Sequence, residues 1–320
     1  MRRLCIALLV LCWLPAAAQE PYPSRPVRFV VPFAAGGPLD VLARLLAPKL
    51  GAQWGRPIVV DNMIGASGSI GANAVARAAP DGYTLLFTVD IPLTMYPAVA
   101  KQLPYDPRAD FRPIASVART DNALFVNPSL GVATAGELVA LAKQQPGRLS
   151  FSSAGIGAPA HFAAELFKVI AGIDMLHVPY KGAAPAMAAA LSGEVSMMFG
   201  PIAQGLAHVR AGKLRALGVT GPLASRLLPG VKPLSEQGFP GLVVFNWYGV
   251  LAPARTPDAP LDAVRAALKS ALSDQSLRGR LSEMGIEPVW DDAPQLGQAI
   301  AADLMRWSQL ARAAKIEAPQ

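Results

Sequence analysis

The chain has 320 residues, of which 16% are charged, with a formal net charge of +7 and two cysteines. That length suits two domains better than one. A mild positive balance without Lys/Arg runs or interleaved aromatics argues against nucleic acid, while it helps a small anion to approach.

Arg2-Arg3 precede the apolar stretch "LCIALLVLCWL", and "PAAA" follows before Gln19. A basic start, an apolar centre and a small-x-small site at Ala16-Ala17-Ala18 predict an export signal cleaved after Ala18. The apolar stretch is too short to span a bilayer, which takes about 20 residues, and no later run is long enough either. Cys5 and Cys12 leave with the signal, so the mature protein is expected to hold no disulfide, thiol nucleophile or cysteine metal ligand. Loss of Arg2 and Arg3 lowers the charge by two.

Beyond the signal, short apolar runs alternate with helical patterns. "VRFVV" (27–31) predicts a buried strand, and a helix follows from Leu39 to about Leu50. "PIVVDN" (57–62) is a second strand, and "GASGSIG" leads into a helix ending near Arg77. "TLLFT" (84–88) and "ALFVN" (123–127) are further strands. A helix near 135–143, the strand "LSFSS" (149–153), a helix at 160–171 and the strand "MLHV" (175–178) continue the alternation. A helix at 184–192, "VSMMF" (195–199), a helix at 203–211 and "LRALGV" (214–219) complete it. After Gly249 three helical patterns follow one another, over 262–273, 276–285 and 295–314. Apolar strands alternating with helices predict α/β architecture, with parallel-rich sheets covered on both faces. The expected organisation is a signal at 1–18, the first part of one lobe at 19–122, a second lobe at 123–243, and a return to the first lobe with C-terminal helices at 244–320. Two lobes joined twice can hinge about a cleft.

Two stretches share one design. "VVPFAAGGPLD" (30–40) and "LSFSSAGIGAPA" (149–160) each run from a strand through glycines into a helix start. Pro38 and Pro159 fall near the first turn, where a missing N–H costs nothing. A helix start offers unpaired donors and a partial positive charge, and open α/β sheets bind ligands beyond the carboxyl ends of their strands. Two such loops, one from each lobe, predict an anion held between opposite walls. Residues 155–160 also satisfy G-x-G-x-x-A, with Asp174 about 20 residues on. A dinucleotide-binding oxidoreductase is therefore the enzymatic alternative, although Pro159 sits inside the helix start and export removes the protein from the cytosolic cofactor pool.

Several ordered blocks carry a resemblance: "YPSRPVRFVVPFAAGGPLDVLAR", "APDGYTLLF", "LPYDPRADFRPI", "HVPYKGAAPAM", "AGKLRALGVT" and "NWYGVLAPARTP". From about Tyr22 to Ile316 the chain resembles the Bug/TctC extracytoplasmic solute receptors. The resemblance implies a type II periplasmic-binding-protein fold and a non-enzymatic receptor for small carboxylates or amino acids. Such a receptor is periplasmic, needs no cofactor or metal, acts as a monomer and docks transiently with the integral-membrane subunits of a tripartite tricarboxylate transporter. A sensor role with a signalling partner would use the same cleft. The resemblance also implies that Phe33, Ala34, Ala35, Gly36 and Gly37 in the first loop, with Ser152, Ser153, Gly155, Ile156 and Gly157 in the second, hold the ligand carboxylate. Three departures bear on specificity. Met63 and Ile64 replace the usual Arg-Pro, Gly200 stands where an acid is frequent, and Asp90 is unusual at its strand end.

Among single residues, Asp40 reads as a first-turn cap or a ligand contact. Asp90, beyond Thr88 at the end of its strand, pairs with a ligand cation or caps the turn after it. His161 donates to a carboxylate or bonds a loop carbonyl. Tyr180 and Lys181 open another helix at a strand end, with Lys181 a solvated cap or a cleft-edge cation. Ser152 and Ser153 lack a G-x-S-x-G elbow and any evident base, so they read as hydroxyl donors. Three scattered histidines without H-x-x-x-H spacing argue against a transition metal.

Overall fold

The computed structural model describes residues 21–317, and the expected export signal with Cys5 and Cys12 lies outside them. The described chain opens with β1 (Val27–Val31), buried along almost its whole length, and α1 (Pro38–Trp54). Gly55 ends α1 in the left-handed region at φ 62°, which a side chain would resist. β2 (Ile58–Asn62), α2 (Ser69–Ala76), β3 (Thr84–Val89) and the short α3 (Met95–Val99) follow. β1 pairs in parallel with both β2 and β3. The long strand β4 (Phe111–Val126) then leads into α4 (Ala135–Gln144), β5 (Ser150–Ser153), α5 (Pro159–Ala171) and β6 (Leu176–Pro179). After these come α6 (Ala183–Ser192), β7 (Met197–Pro201), α7 (Ile202–Arg210) and β8 (Arg215–Val219). β5 is parallel to β6 and β7. The chain finishes with β9 (Phe245–Pro253), α8 (Asp258–Leu272), α9 (Gln275–Glu283), β10 (Glu287–Asp292) and α10 (Ala293–Ala313).

One strand serves two sheets. Residues 111–121 of β4 run antiparallel to β9, and β10 flanks the same stretch. From Asn122 onward β4 pairs instead with β7 and β8. The first sheet therefore reads β2-β1-β3-β9-β4-β10 and the second β8-β4-β7-β5-β6. Helices cover both faces of each. Leu42, Leu46 and Leu50 of α1 join Leu261, Val264 and Leu268 of α8 on one face of the first sheet, and Ala72, Val75, Leu296 and Ile300 cover the other. In the second, Phe162 and Phe167 of α5 meet Leu138 of α4 on one face, while Met187 of α6 and Ile202 of α7 cover the reverse.

Three strands differ from the sequence expectation. β4 begins twelve positions ahead of "ALFVN", β9 occupies "FNWYGVLAP", and β10 interrupts what reads as a purely helical tail. All three lie antiparallel to their neighbours, so the centre of the fold is mixed rather than parallel. The physical reason is local. Pro113 and register shifts break the apolar pattern of β4, and β10 mixes acids with Val289 and Trp290 as a half-covered edge.

The two lobes meet at a hydrogen-bonded knot. Thr220 is fully buried. Its N–H donates to the Asn122 carbonyl at 2.8 Å, its carbonyl accepts from the Val244 N–H at 2.9 Å, and its Oγ1 lies 2.5 Å from the Val244 carbonyl. Both segments that pass between the lobes are thus tied to one residue. α10 spans the same junction. Its early residues Leu296 and Ile300 pack in the first lobe, whereas Trp307, Leu310 and Ala311 enter the core of the second. The C-terminal helix consequently belongs to both lobes.

Candidate functional site

A cavity of about 410 Å³ lies between the lobes. Four helix starts reach its wall: Pro38 and Leu39 of α1, Pro159 and Ala160 of α5, Ala183 of α6, and Pro201 ahead of α7. None of the four has a side-chain cap. Of the helices whose starts lie outside this wall, α4, α9 and α10 are capped by Thr134, Asp274 and Asp292, whereas α2, α3 and α8 are likewise without a side-chain cap. First-turn N–H groups have no intrahelical partner, so the cavity collects uncapped donors and the positive ends of four helix dipoles. The rest of the wall is chiefly apolar, including Phe33, Val89, Ile91, Met198 and Phe199. Among the described residues that line it, none is charged.

The two glycine loops are held rigid by their own side chains. In the first, Gly36 takes φ +81° and its N–H donates to Asp40 Oδ2 at 2.9 Å. Asp40 is almost fully buried and also accepts from Arg44 Nε and from Asn62 Nδ2, whose amide reaches the Phe33 carbonyl as well. Burial pushes the Asp40 carboxyl up, but the bonds from Arg44, Gly36 and Asn62 outweigh it and leave the group below its ordinary range. Asp40 therefore organises the loop and stands outside the cavity wall.

In the second loop Ser153 Oγ accepts from the Gly155 N–H at 3.2 Å and lies 2.7 Å from His177 Nε2. His161 Nδ1 accepts from the Gly157 N–H at 3.1 Å. The two imidazoles stack with centroids 3.8 Å apart. Burial, then the neighbouring cationic or potentially cationic groups, push His161 down to about 3 and His177 to about 4, so both are neutral at ordinary pH. A base does stand beside Ser153, which the sequence did not reveal, but Ser153 is fully buried and points its hydroxyl into this loop network. Ser152 is also buried and donates to the Ala186 carbonyl. The glycine amides that a pyrophosphate would need in "GIGAPA" are already engaged by Ser153 and His161.

Of the residues singled out from the sequence, Phe33, Ala34 and Gly37 line the cavity. Ala35 and Gly36 are exposed on the loop beside it. Gly155, Ile156 and Gly157 form the adjoining turn, where Ile156 faces solvent and Gly157 approaches Val99 of α3. Thr88 donates to the Val89 carbonyl, Tyr180 to Glu194, and Lys181 is exposed; none of the three is in the wall. Asp90 is 1% exposed and sits behind the wall, accepting from Asn246 Nδ2 at 2.9 Å. Its Oδ2 has no protein partner, and burial pushes the carboxyl up to about 8. Asp90 thus carries a proton at neutral pH and orients the Asn246 amide.

Several wall residues escaped the sequence reading. Asn122 opens the second-lobe half of β4, while Asn246 and Tyr248 sit two apart on β9 and share one face. Trp247 between them is buried on the opposite face. Recognising "FNWYGVLAP" as a strand would have exposed this alternation. Gly200 also lines the cavity, so the place of the family's frequent acid is bare backbone.

Two α/β lobes about a donor-lined cleft define the class of two-lobed solute-binding receptors. Residues 42–316 match the family described as the tripartite tricarboxylate transporter family receptor, TctC. The protein BugT of Bordetella pertussis is 34% identical over 296 residues, 92% of this chain and 91% of that protein. Among solved structures, R. palustris Rpa4515 with adipate superposes with a TM-score of 0.78 at 33% identity, covering 92% of this chain and 99% of the other. MatC from Rhodopseudomonas palustris with bound malate gives 0.72 at 30%, covering 90% and 99%. The chain belongs to the TctC receptor family, a family of extracytoplasmic binding proteins rather than of enzymes.

Proposed function

We propose that this protein is a periplasmic receptor that captures a small carboxylate between its lobes, leaves it chemically unchanged and presents it to a tripartite tricarboxylate-type membrane transporter. The observation that carries this reading is the meeting of uncapped helix starts from both lobes on one cavity. An anion placed there touches α1 on one side and α5, α6 and α7 on the other. Only a ligand that contacts both lobes favours the closed arrangement over the open one. Adipate and malate in the related structures support a carboxylate as cargo.

In this reading residues 19–122 and 244–320 form one lobe and 123–243 the other, with the end of α10 reaching into the second core; the signal is cleaved after Ala18 on export, and the protein acts as a monomer. The ligand carboxylate takes its bonds from the first-turn amides beginning at Leu39 and Ala160, while Asp40, Ser153, His161 and His177 hold the loops that place them. Phe33, Ala34 and Gly37 with Ala154 and Ala158 shape the walls. No catalytic group is required, because the bound molecule leaves as it came.

The test is calorimetry with a broad carboxylate and amino-acid panel on protein purified after export, paired with small-angle scattering. A binding heat, a raised unfolding temperature and a smaller radius of gyration with the same compound are expected. A panel that produces neither heat nor thermal shift would falsify the receptor reading.

A further inference from the structure

The cleft has an unusual balance of groups for a site facing anions. Its helix starts are concentrated donors, yet no lysine, arginine, histidine, aspartate or glutamate lines it among the described residues. Such a wall can neutralise one anionic group through amide dipoles. A second carboxylate or an ammonium would enter the cavity with no charged side chain to pair with, and a charge without such a partner is disfavoured in a site closed from water. The bare backbone at Gly200 and the position of Asp90 behind Asn246 remove both acids that could have met an ammonium.

One side chain in the wall awaits a partner. Asn122 is 5% exposed, and its Nδ2 makes no hydrogen bond within the protein. Of the other polar side chains in the wall, the Asn246 amide donates to Asp90, Thr120 pairs with the Tyr248 hydroxyl, and Gln204 is exposed to solvent rather than buried. A buried donor left unsatisfied is costly, so Asn122 Nδ2 marks where an acceptor belongs. Asn122 is also the residue at which β4 passes between lobes, and its backbone is tied to Thr220. A ligand oxygen bound there is attached to the hinge itself.

The remainder of the wall sets the shape of the ligand's other end. Phe33, Leu39, Ile91, Met198 and Phe199 offer hydrocarbon. Since a water occupies about 30 Å³ of liquid, a cavity of about 410 Å³ has room for a solute of roughly a dozen non-hydrogen atoms.

We infer that the cleft selects a monocarboxylate whose body is uncharged and apolar, with the Asn122 amide as the side-chain donor to its oxygen. This rests on the receptor reading above and narrows it. The carboxylate takes the first-turn amides and Asn122, and the hydrocarbon lies against the aromatic and aliphatic wall. Dicarboxylates, tricarboxylates and amino acids are rejected by the charge they would leave unpaired.

The experiment is isothermal calorimetry on the protein purified after export and dialysed exhaustively. Hexanoate and phenylacetate are compared with adipate, malate, citrate, phenylalanine and neutral hexanamide. At least tenfold tighter binding of the two monocarboxylates than of adipate or phenylalanine is expected, with no heat from hexanamide. Equal or tighter binding of adipate, malate, citrate or phenylalanine overturns the inference while the receptor reading stands. Silence from every carboxylate overturns both. Asn122→Ala should weaken hexanoate binding about tenfold and Asn122→Asp at least a hundredfold, with unfolding temperatures recorded alongside. Unchanged affinity in a folded Asn122→Ala protein removes Asn122 from the site. The panel on the unaltered chain decides the ligand class even where a variant does not fold.

Discussion

Replacing Asp90 with asparagine should change how stability depends on pH, and the structure gives the sign. Asp90 is buried behind the cleft with a single side-chain partner, Asn246 at 2.9 Å, and an unpartnered Oδ2. Burial is the main cause that pushes its carboxyl up to about 8; Asp303 adds to the rise, while the Asn246 bond and Arg306 act against it. In the unfolded chain an aspartate titrates near 4. Between these values the native state holds a proton that the unfolded state has released, so stability falls as pH rises from about 4 to about 8. The slope is at most about 1.4 kcal/mol per pH unit, which from pH 5 to 8 gives an upper bound of about 4 kcal/mol. Asparagine has the same shape and no charge to lose, so that decline should vanish in Asp90→Asn. His161 and His177 act in the opposite direction. Their native values lie below 6.5, so their contribution is lost as pH falls below that point. The substitution leaves them in place, and the difference between the two stability profiles isolates Asp90. Urea unfolding of both proteins at several values from pH 5 to 8 measures it. A gap that widens by at least about 1 kcal/mol toward pH 8 is expected on this linkage, and parallel profiles would refute the reasoning.

Other expectations concern the hinge, the shared helix and the loop. Thr220→Val keeps the shape but removes the hydroxyl bonded at the lobe crossing, and should lower unfolding free energy by about 1–3 kcal/mol; an unchanged denaturation midpoint would count against the knot. Trp307 is 1% exposed and packs against Phe162 in the second lobe. Trp307→Ala should cost about 3–5 kcal/mol by chemical denaturation, and a loss below 1 kcal/mol would show that α10 does not brace that core. The ring resonances of His161 and His177 in NMR spectra should stay fixed between pH 5 and 8, because burial holds both neutral. A titration of either within that interval would mean that the loop network is more open to water than its geometry implies.

Strands of the parallel flanks were legible where a short, predominantly apolar run ends at proline or glycine, as in Val27–Val31 before Pro32 and Met197–Phe199 before Gly200. The glycine loops were legible for a related reason: positive φ at Gly36, Gly155 and Gly157 is a requirement that glycine meets without strain. The antiparallel centre was hidden. β4 carries Pro113 and a row of small residues, and its pairing with β9 joins positions more than a hundred residues apart. Pairing of that range leaves little local trace. The same distance hid Asn122, Asn246 and Tyr248, which become neighbours only when both strands are in register.

Side-chain direction was the other hidden variable. Asp40, Ser152, Ser153 and His161 occupy the expected loops, yet each turns away from the cavity to hold backbone. A carboxylate, a hydroxyl or an imidazole can serve a ligand or a loop amide with equal chemistry, and only the surrounding packing chooses between them. From the residues alone one can read the strand–helix alternation of the flanks, the two glycine-to-helix junctions and the family. Which donors remained unengaged, that the wall would lack charge, and that one asparagine would wait at the crossing were decided by the tertiary structure, because an amide becomes available only when nothing folded beside it has claimed it first.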